Sequence, residues 1–392
     1  MPSRVLIGAV MFGTASAANS SWAILNSPTF ESNTLAISLA FTADGTVGYA
    51  AAGSNSCPAR VVKTTDSGVT WDQVWPHNCS LVDFNLLLSA AVKDEEHAVI
   101  GGAFYPLWTK TGTQFYPATN NFGSPPQDAG VIPGSNQFAL VSGKESEEGG
   151  NSIDVSADGI KYTKLPIPDS VCNSSHFLAR YGAFPSKNVW YITAGTFEGS
   201  RETNSRTRKI SKYLSVNKDT ASISFSSNDN DVSAPLDECN AAIVKTTDGG
   251  QSWELLYQKY NTGDNIYPNG IHCSSETHCV AVLEGASSRI IVTRDGGKTW
   301  NETMHDPDPH SSLFAVRMLS ETEVWAAGGY PSLPGFEGRF WHSLDGGDTW
   351  TKEAFPGTYI INLNMPSSKH GYAIALTDSN PAGIKLFKYQ PQ

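Results

Sequence analysis

The sequence lacks long hydrophobic runs, an excess of positive charge and a dense set of cysteines. Beyond its first residues, no stretch reaches the ~18 apolar residues that a transmembrane helix needs, so the sequence predicts no membrane span. Basic residues number 27 against 38 acidic ones, and the net charge of −11 disfavours binding to nucleic acid, because phosphate contacts need clustered Lys and Arg. Six cysteines in 392 residues are too few for a disulfide-scaffolded fold. A hydrophobic fraction of 40% excludes disorder and is typical of a globular chain.

The first 17 residues are organised like a secretory signal peptide. Arg4 supplies a short positive segment, an apolar stretch follows it, and Ala15-Ser16-Ala17 offers small residues for cleavage. We therefore expect residues 1–17 to be removed and residues 18–392 to form a secreted, extracellular domain, where disulfides persist. The sequons that we expect to be glycosylated begin at Asn78, Asn173 and Asn301.

One eight-residue motif recurs four times without gaps. It has the form Ser/Thr-x-Asp-x-Gly-x-Ser/Thr-Trp, and we call it the turn motif. The four copies occupy residues 64–71, 246–253, 293–300 and 343–350, and degenerate copies occupy residues 109–115 and 156–162. The third position of the motif recurs at intervals of 45, 47, 90, 47 and 50 residues. The interval of 90 residues corresponds to one repeat that carries an insertion. A period near 45–50 is typical of four-stranded propeller blades.

The surroundings of each motif fit a blade. A β-rich run precedes the motif, its Asp can accept bonds from backbone N–H groups of the turn, and its Gly supplies positive φ. After residue 355 come three strands without a fourth, whereas residues 21–25 form a strand without a blade. We therefore predict an all-β, single seven-bladed propeller, closed by the N-terminal strand joining the last blade. If blade two does not form a sheet, the alternative is a six-bladed propeller. We also expect blade four to contain an insertion at about residues 196–241.

The turn motif resembles the Asp-box, or bacterial-neuraminidase repeat. This repeat occurs in sialidases, secreted xyloglucanases, sortilin-type receptors and the photosystem II assembly and stability factors, and the Thr-Thr-Asp-Gly-Gly form is most similar to the last group. The resemblance implies that the boxes lie between the third and fourth strands, away from the ligand face. It also implies a structural role for the box aspartates Asp66, Asp158, Asp248, Asp295 and Asp345.

The candidate site residues lie in loops between blades and between second and third strands, where propellers usually bind ligands. They are Glu145, Glu147 and Glu148 in blade three, Asp306 and Asp308 between blades five and six, and Tyr330 and Glu337 in blade six. Arg180 and Arg317 lie on predicted innermost strands, where they either clamp an anion or pair with neighbouring acids. Proline residues around Asp306 and Asp308 keep successive side chains apart, so we expect no metal and no cofactor there.

Two kinds of function remain open. The arginine pattern of the sialidases is missing, since no Arg occurs between Arg4 and Arg60. Gly-x-Ser-x-Gly, P-loop and His-Glu-x-x-His motifs are absent as well. We therefore expect a monomeric binding or assembly module for a protein or carbohydrate ligand. The alternative is a glycan-active hydrolase or lyase, sialidase-like or xyloglucanase-like, with carboxylates about 5–10 Å apart across a groove.

The positions of the cysteines predict three disulfides. Cys273 and Cys279 flank the turn of blade five's inner hairpin, so they can face each other across it. The other two pairs each join a loop between second and third strands to a link between blades on the same face, and they are Cys57–Cys79 and Cys172–Cys239. In the insertion, a basic cluster at residues 201–212 precedes strand-like residues around 217–220, which predicts an extended hairpin or a loop.

Overall fold

The fold consists of antiparallel β-sheets that follow one another along the chain. The computed structural model describes residues 21–25, 34–54, 57–76, 87–119, 126–143, 150–172, 177–195, 215–217, 222–224, 239–260, 267–284, 287–330, 335–378 and 383–391. Its strands are β1 (Trp22–Leu25), β2 (Thr34–Phe41), β3 (Gly48–Ser54), β4 (Cys57–Thr64), β5 (Asp72–Trp75), β6 (Leu87–Val92), β7 (His97–Gly102), β8 (Leu107–Lys110), β9 (Tyr116–Pro117), β10 (Pro126–Ile132), β11 (Gln137–Ser142), β12 (Ser152–Ser156), β13 (Thr163–Pro166), β14 (Ala179–Ala183), β15 (Trp190–Gly195), β16 (Ser215–Asn217), β17 (Ser222–Ser224), β18 (Cys239–Thr246), β19 (Glu254–Tyr260), β20 (Tyr267–Cys273), β21 (Cys279–Glu284), β22 (Ser288–Thr293), β23 (Asn301–Asp306), β24 (Ser312–Met318), β25 (Val324–Tyr330), β26 (Glu337–Ser343), β27 (Thr351–Pro356), β28 (Thr358–Ser367), β29 (His370–Thr377) and β30 (Ile384–Tyr389).

Seven four-stranded sheets form the blades of a seven-bladed β-propeller, as the repeat spacing predicted. In chain order, blades one to six are β2–β5, β6–β9, β10–β13, β14-β15-β18-β19, β20–β23 and β24–β27. Blade seven is β28-β29-β30-β1. The first strand of each blade contacts the first strand of the next, and β28 contacts β2, so these seven strands surround the axis of the ring. The hydrophobic core lies between the blades, where apolar side chains from neighbouring sheets interdigitate.

The N-terminal strand completes blade seven, which confirms the predicted closure. Trp22 pairs with Tyr389 and the two strands run antiparallel in register. The Trp22 ring is buried and stacks on Phe340 of blade six at a centroid distance of 4.2 Å. Closure therefore combines backbone pairing, which covers the edge of β30, with aromatic packing.

Blade two forms despite its degenerate motif, so the six-bladed alternative is wrong. Its outer strand β9 has only two residues. Thr111 stands where the other motifs have Asp, and its hydroxyl accepts a bond from the Gln114 N–H at 3.3 Å. The Thr109 hydroxyl accepts the Gly112 N–H at 3.0 Å. Hydroxyl groups thus close this turn where the carboxylate is missing.

The turn motifs lie between the third and fourth strands of their blades. In blade four, Asp248 accepts the Thr246 hydroxyl at 2.7 Å, the Ser252 N–H at 2.9 Å and the Ser252 hydroxyl at 2.5 Å. Gly250 adopts a φ of +90°, and a Cβ there would lie 2.9 Å from the Trp190 ring. Asp66, Asp295 and Asp345 make the same set of bonds, and Asp158 accepts the Ile160 N–H and the Ser156 hydroxyl. The motif aspartates therefore hold turns together.

The innermost strand of every blade carries a β-bulge near its start. The residues at these register shifts are Ile37, Leu88, Gln127, Arg180, Asn269, Phe314 and Ile361. A bulge inserts one unpaired residue and turns its side chain away from the regular alternation. Two of these bulges place polar side chains in the interior, because Arg180 is 6% exposed and Asn269 is 1% exposed.

The described part of the blade-four insertion is a two-stranded antiparallel sheet of β16 and β17, in which Val216 faces Ile223. These strands flank the predicted turn at residues 217–220, with β16 extending one residue into it, whereas the basic cluster at residues 201–212 lies outside the described residues. The predicted disulfide Cys273–Cys279 is confirmed and joins β20 to β21. Cys172 is also disulfide-bonded, and the side chains of Cys57, Cys79 and Cys239 lie outside the described part.

In the described ranges, no helix has the length and apolarity needed to cross a membrane.

Candidate functional site

Three of the predicted site residues meet between blades five and six. Asp306 ends β23, Tyr330 ends β25 and Glu337 begins β26. Because successive strands alternate in direction, the links between blades and the loops between second and third strands share one face of the ring. This loop face lies opposite the turn motifs. The candidate site therefore has the location that propeller architecture favours for ligands.

Arg339, two residues into β26, joins the three predicted residues. Its Nη1 lies 3.2 Å from Asp306 Oδ2, and its Nε and Nη2 each lie 2.6 Å from Glu337 Oε1. The same Nη1 donates to the Tyr330 hydroxyl at 2.6 Å, and the guanidinium lies over the Tyr330 ring at 3.9 Å. We call Asp306, Tyr330, Glu337 and Arg339 the loop-face cluster.

The tyrosine of the loop-face cluster is a hydrogen-bond donor. Its hydroxyl donates to Asp306 Oδ2 at 2.5 Å. Burial, followed by the hydrogen bond and charge of Asp306, raises the pKa of Tyr330 to about 12. The other oxygen of Asp306 accepts the Asp308 N–H at 3.2 Å, so the carboxylate also shapes the link between the blades. Tyr330 is therefore held as a neutral phenol at physiological pH.

The bonds of Arg339 limit the chemistry of the cluster. The side chains of Arg339 and Asp306 are only 15% and 17% exposed, whereas that of Glu337 is 37% exposed. One guanidinium therefore bonds both carboxylates. The arrangement provides oriented polar groups, with both acids of the cluster held by one arginine.

The remaining predicted residues lie apart from this cluster. Asp308 pairs with His310 at 3.1 Å, so the side chains of Asp306 and Asp308 contact different residues. This separation agrees with the proline that lies between them in the sequence. Glu145, Glu147 and Glu148 lie outside the described residues, as do Asn78 and Asn173, whereas Asn301 is exposed at the start of β23. Within the described ranges, no group of three or more His, Cys, Asp or Glu side chains is arranged to hold a metal ion.

Both predicted arginines lie on innermost strands, in different surroundings. Arg180 is buried, and its guanidinium lies 5.3 Å from the Tyr181 ring centre. Burial lowers the pKa of Arg317, and the negative charge of Asp128 acts in the opposite direction. Asp128 belongs to blade three and Arg317 to blade six, on opposite sides of the seven-membered ring. Because the two charges interact, the Arg317 side chain reaches from blade six towards the axis.

Polar side chains near the axis bind the free edge of the next innermost strand. Asp128 Oδ2 accepts the Gly182 N–H at 3.0 Å, and His272 Nδ1 accepts the Met318 N–H at 3.1 Å. Asn364 Oδ1 accepts the N–H of Phe41 in blade one at 3.2 Å. These edge N–H groups would otherwise lack a protein acceptor, because no strand pairs with the inner edge of a blade.

Sequence reasoning missed Arg339, Asp128 and His272 as functional candidates. Arg339 follows Glu337 by two residues in β26, and this period of two places both side chains on one face. That alternation was an available signal. Asp128 lies near the start of β10, which begins at Pro126, and no sequence motif marks it. No local pattern marks His272, since its hydrogen-bonding partner comes from the next blade.

Comparison with known proteins supports the architecture. The sequence matches no protein-family model and no curated protein. Among solved structures, the chain is similar to YCF48 bound to D1 peptide, with a TM-score of 0.59, 14% identity and coverage of 95% of this chain and 98% of that one. YCF48 from Cyanidioschyzon merolae gives a TM-score of 0.61 with 14% identity, 95% of this chain and 99% of that one being covered.

Glycan-active enzymes are similar in fold as well. A PL25 ulvan lyase has a TM-score of 0.55 and 10% identity, over 91% of this chain and 94% of that one. The GH74 xyloglucanase of Xanthomonas campestris has a TM-score of 0.57 and 13% identity over 91% of this chain, which spans only 53% of the enzyme. At such identities the comparisons show a shared propeller fold, and this fold serves both peptide-binding and glycan-active proteins.

Proposed function

We propose that this chain is a secreted Asp-box propeller that binds a protein or glycan partner on its loop face, without catalysing a reaction. The observation that carries the proposal is the position of Arg339 between Asp306 and Glu337. This arginine turns the best candidate acid pair into an ordered set of hydrogen-bonding groups. Fixed polar groups of this kind give orientation and specificity to a binding surface.

The structural neighbours are compatible with this function. The similar YCF48 structure contains a D1 peptide, so a propeller of this architecture and length can act as a peptide-binding module. The xyloglucanase of similar fold is about twice as long, and this chain matches only 53% of it. The glycan-active alternative draws support from the lyase of comparable length, which makes carbohydrate a ligand class worth testing.

The test is a binding and turnover screen of the purified protein with peptide libraries, neutral glycans, sialosides and uronic-acid polymers. We expect saturable binding of one ligand class without product formation. Replacing Glu337 with Gln should weaken that binding about tenfold, because the free carboxylate oxygen and the support of Arg339 are lost together. Asp348→Gln, an acidic residue on the opposite face, is the matched control and should leave binding unchanged.

Turnover would support the alternative instead. Product release that disappears in both Glu337→Gln and Asp306→Asn would identify a glycan-active enzyme and overturn the binding proposal. Binding that is unaffected by either variant would place the ligand elsewhere on the propeller. In both variants, an unchanged far-UV circular dichroism spectrum would show that the fold is intact.

A further inference from the structure

The second polar site of interest lies in the axial channel, on the side of the turn motifs. Arg317 and His272 are each the last residue but one of an innermost strand, in β24 and β20. Both strands end there at the turn into the second strand, so this position is remote from the loop-face cluster. Both side chains are half-buried.

Arg317 has no direct carboxylate partner. Its Nη1 donates to the Val316 carbonyl at 2.8 Å, and no carboxylate oxygen of the described residues lies within the 4.0 Å of an ion pair. Other arginines of the described chain do have such partners: Arg289 pairs with Glu302, Arg294 with Asp348 and Arg339 with Asp306. A guanidinium has five N–H donors, so most of the donors of Arg317 remain open to a ligand.

His272 adds a neutral donor beside this charge. Its Nδ1 accepts the Met318 N–H at 3.1 Å, and this bond fixes the tautomer that carries hydrogen on Nε2. Burial and the charge of Arg317 lower the pKa of His272 to about 3, so the imidazole stays neutral at physiological pH. Because Met318 follows Arg317 in the chain, the imidazole lies next to the base of the arginine side chain.

Asp128 limits the charge of any ligand bound at this position. Its two oxygens accept the Ala129 N–H at 2.9 Å and the Gly182 N–H at 3.0 Å, so its carboxyl group is fixed in place. Burial raises the pKa of Asp128, whereas these two bonds and the charge of Arg317 favour its charged form. Repulsion between this carboxylate and an anion doubles when the ligand carries two charges instead of one. A planar guanidinium and one N–H donor match the two oxygens of a carboxylate.

We infer that Arg317 and the His272 Nε2–H form an anion site in the axial channel that takes a carboxylate group. The site is independent of the proposed loop-face ligand, because the two lie on opposite faces of the ring and share no residue. The carboxylate supplies the counter-charge that Arg317 lacks within ion-pair distance. Sulfate and phosphate dianions bind less well because they face stronger repulsion from Asp128.

The test is ligand-observed NMR of the acetate methyl group with the full-length protein at pH 7.5 and constant ionic strength. We expect saturable line broadening of acetate, reversed by formate and less effectively by sulfate. Arg317→Gln should weaken acetate binding at least about tenfold, because a charge-assisted bond is lost. Asp128→Asn should strengthen it about threefold or more by removing the repulsive charge.

Arg294→Gln is the matched control, since this arginine lies on the turn-motif face outside the channel. Its acetate affinity should equal that of the wild type. Absence of saturable binding to the wild-type protein, or equal binding to Arg317→Gln, would overturn the inference. If Arg317→Gln fails to fold, the Asp128→Asn variant provides the test. An unchanged acetate affinity in Asp128→Asn would then contradict the inferred site. Tighter binding of sulfate than of acetate would refute the carboxylate assignment.

Discussion

Individual residues tie one blade to the next through backbone carbonyl groups. In three blades, a Tyr of the second strand and a Lys of the third strand face each other and both reach the neighbouring blade. The tyrosine bonds are Tyr49 to Glu95 O at 2.7 Å, Tyr191 to Glu276 O at 2.6 Å and Tyr372 to Gly45 O at 2.7 Å. The lysines Lys63, Lys245 and Lys388 donate to Glu95 O, Gly296 O and Ser67 O. These bonds give carbonyl groups at the blade boundaries a side-chain donor from the neighbouring blade.

Replacing Tyr191 with Phe should lower the free energy of unfolding by about 1 kcal/mol, because the Glu276 carbonyl loses a donor while the ring packing persists. Urea denaturation measures the change. Tyr116→Phe is the control, since Tyr116 is 45% exposed and bonds only the neighbouring Gln114 side chain. Equal stability of Tyr191→Phe and wild type would show that the bond between blades contributes nothing.

At the scale of the element, each of the four complete turn motifs closes a β-turn by hydrogen bonds to one carboxylate. Hydrogen bonds from the side chain and the N–H of Ser252 lower the pKa of Asp248 to about 2. Hydrogen bonds from Thr299 lower the pKa of Asp295 to about 2 as well. The bonds thus favour the charged form over the neutral one, which makes the turns sensitive to acid.

The depressed pKa values predict acid destabilisation in a defined window. Each carboxylate has a lower pKa in the folded chain than in the unfolded one, so its contribution is present above about pH 4. It is lost as the pH falls towards about 2, the folded value of Asp248 and Asp295. Asp248→Asn should melt at a lower temperature than wild type at pH 7, with a smaller difference at pH 2. Thermal melts across this range provide the test, and a constant difference would contradict the prediction.

At the scale of the whole molecule, the ring is held closed by one short strand. Trp22 is 2% exposed and contacts blade six through Phe340 and Trp325, with centroid distances of 4.2 and 5.7 Å. Backbone bonds between β1 and β30 cover the edge of β30. The two chain ends are therefore coupled, and opening the ring exposes both an aromatic core and an unpaired strand.

Replacing Trp22 with Ala should reduce the free energy of unfolding by about 3–5 kcal/mol, because a large buried side chain leaves a cavity at the closure. Ile24→Ala in the same strand should cost far less, since Ile24 is 43% exposed. Chemical denaturation compares the two variants, and size-exclusion chromatography reports association through the exposed edge. Similar losses for both would mean that Trp22 packing does not stabilise the closure.

The sequence by itself determined the propeller, its seven blades and their closure. The reason is that these features follow from local chemistry: Asp, Gly and hydroxyl residues close a turn within eight residues, and the period of the motif counts the blades. Even the degenerate motif at Thr111 kept enough hydroxyl groups to close its turn. The disulfide Cys273–Cys279 was equally predictable, because both cysteines belong to one hairpin.

Only the tertiary structure decided how the candidate residues are used. Asp306 comes from blade five, while Tyr330, Glu337 and Arg339 come from blade six, so their meeting depends on how two blades pack. Likewise, Arg317 and Asp128 lie in opposite blades, and His272 is oriented by an N–H from the next innermost strand. Sequence patterns describe the strands within a blade, whereas packing between blades sets the contacts among these side chains. That packing bonded two separately predicted carboxylates to one arginine and left Arg317 without a carboxylate within ion-pair distance.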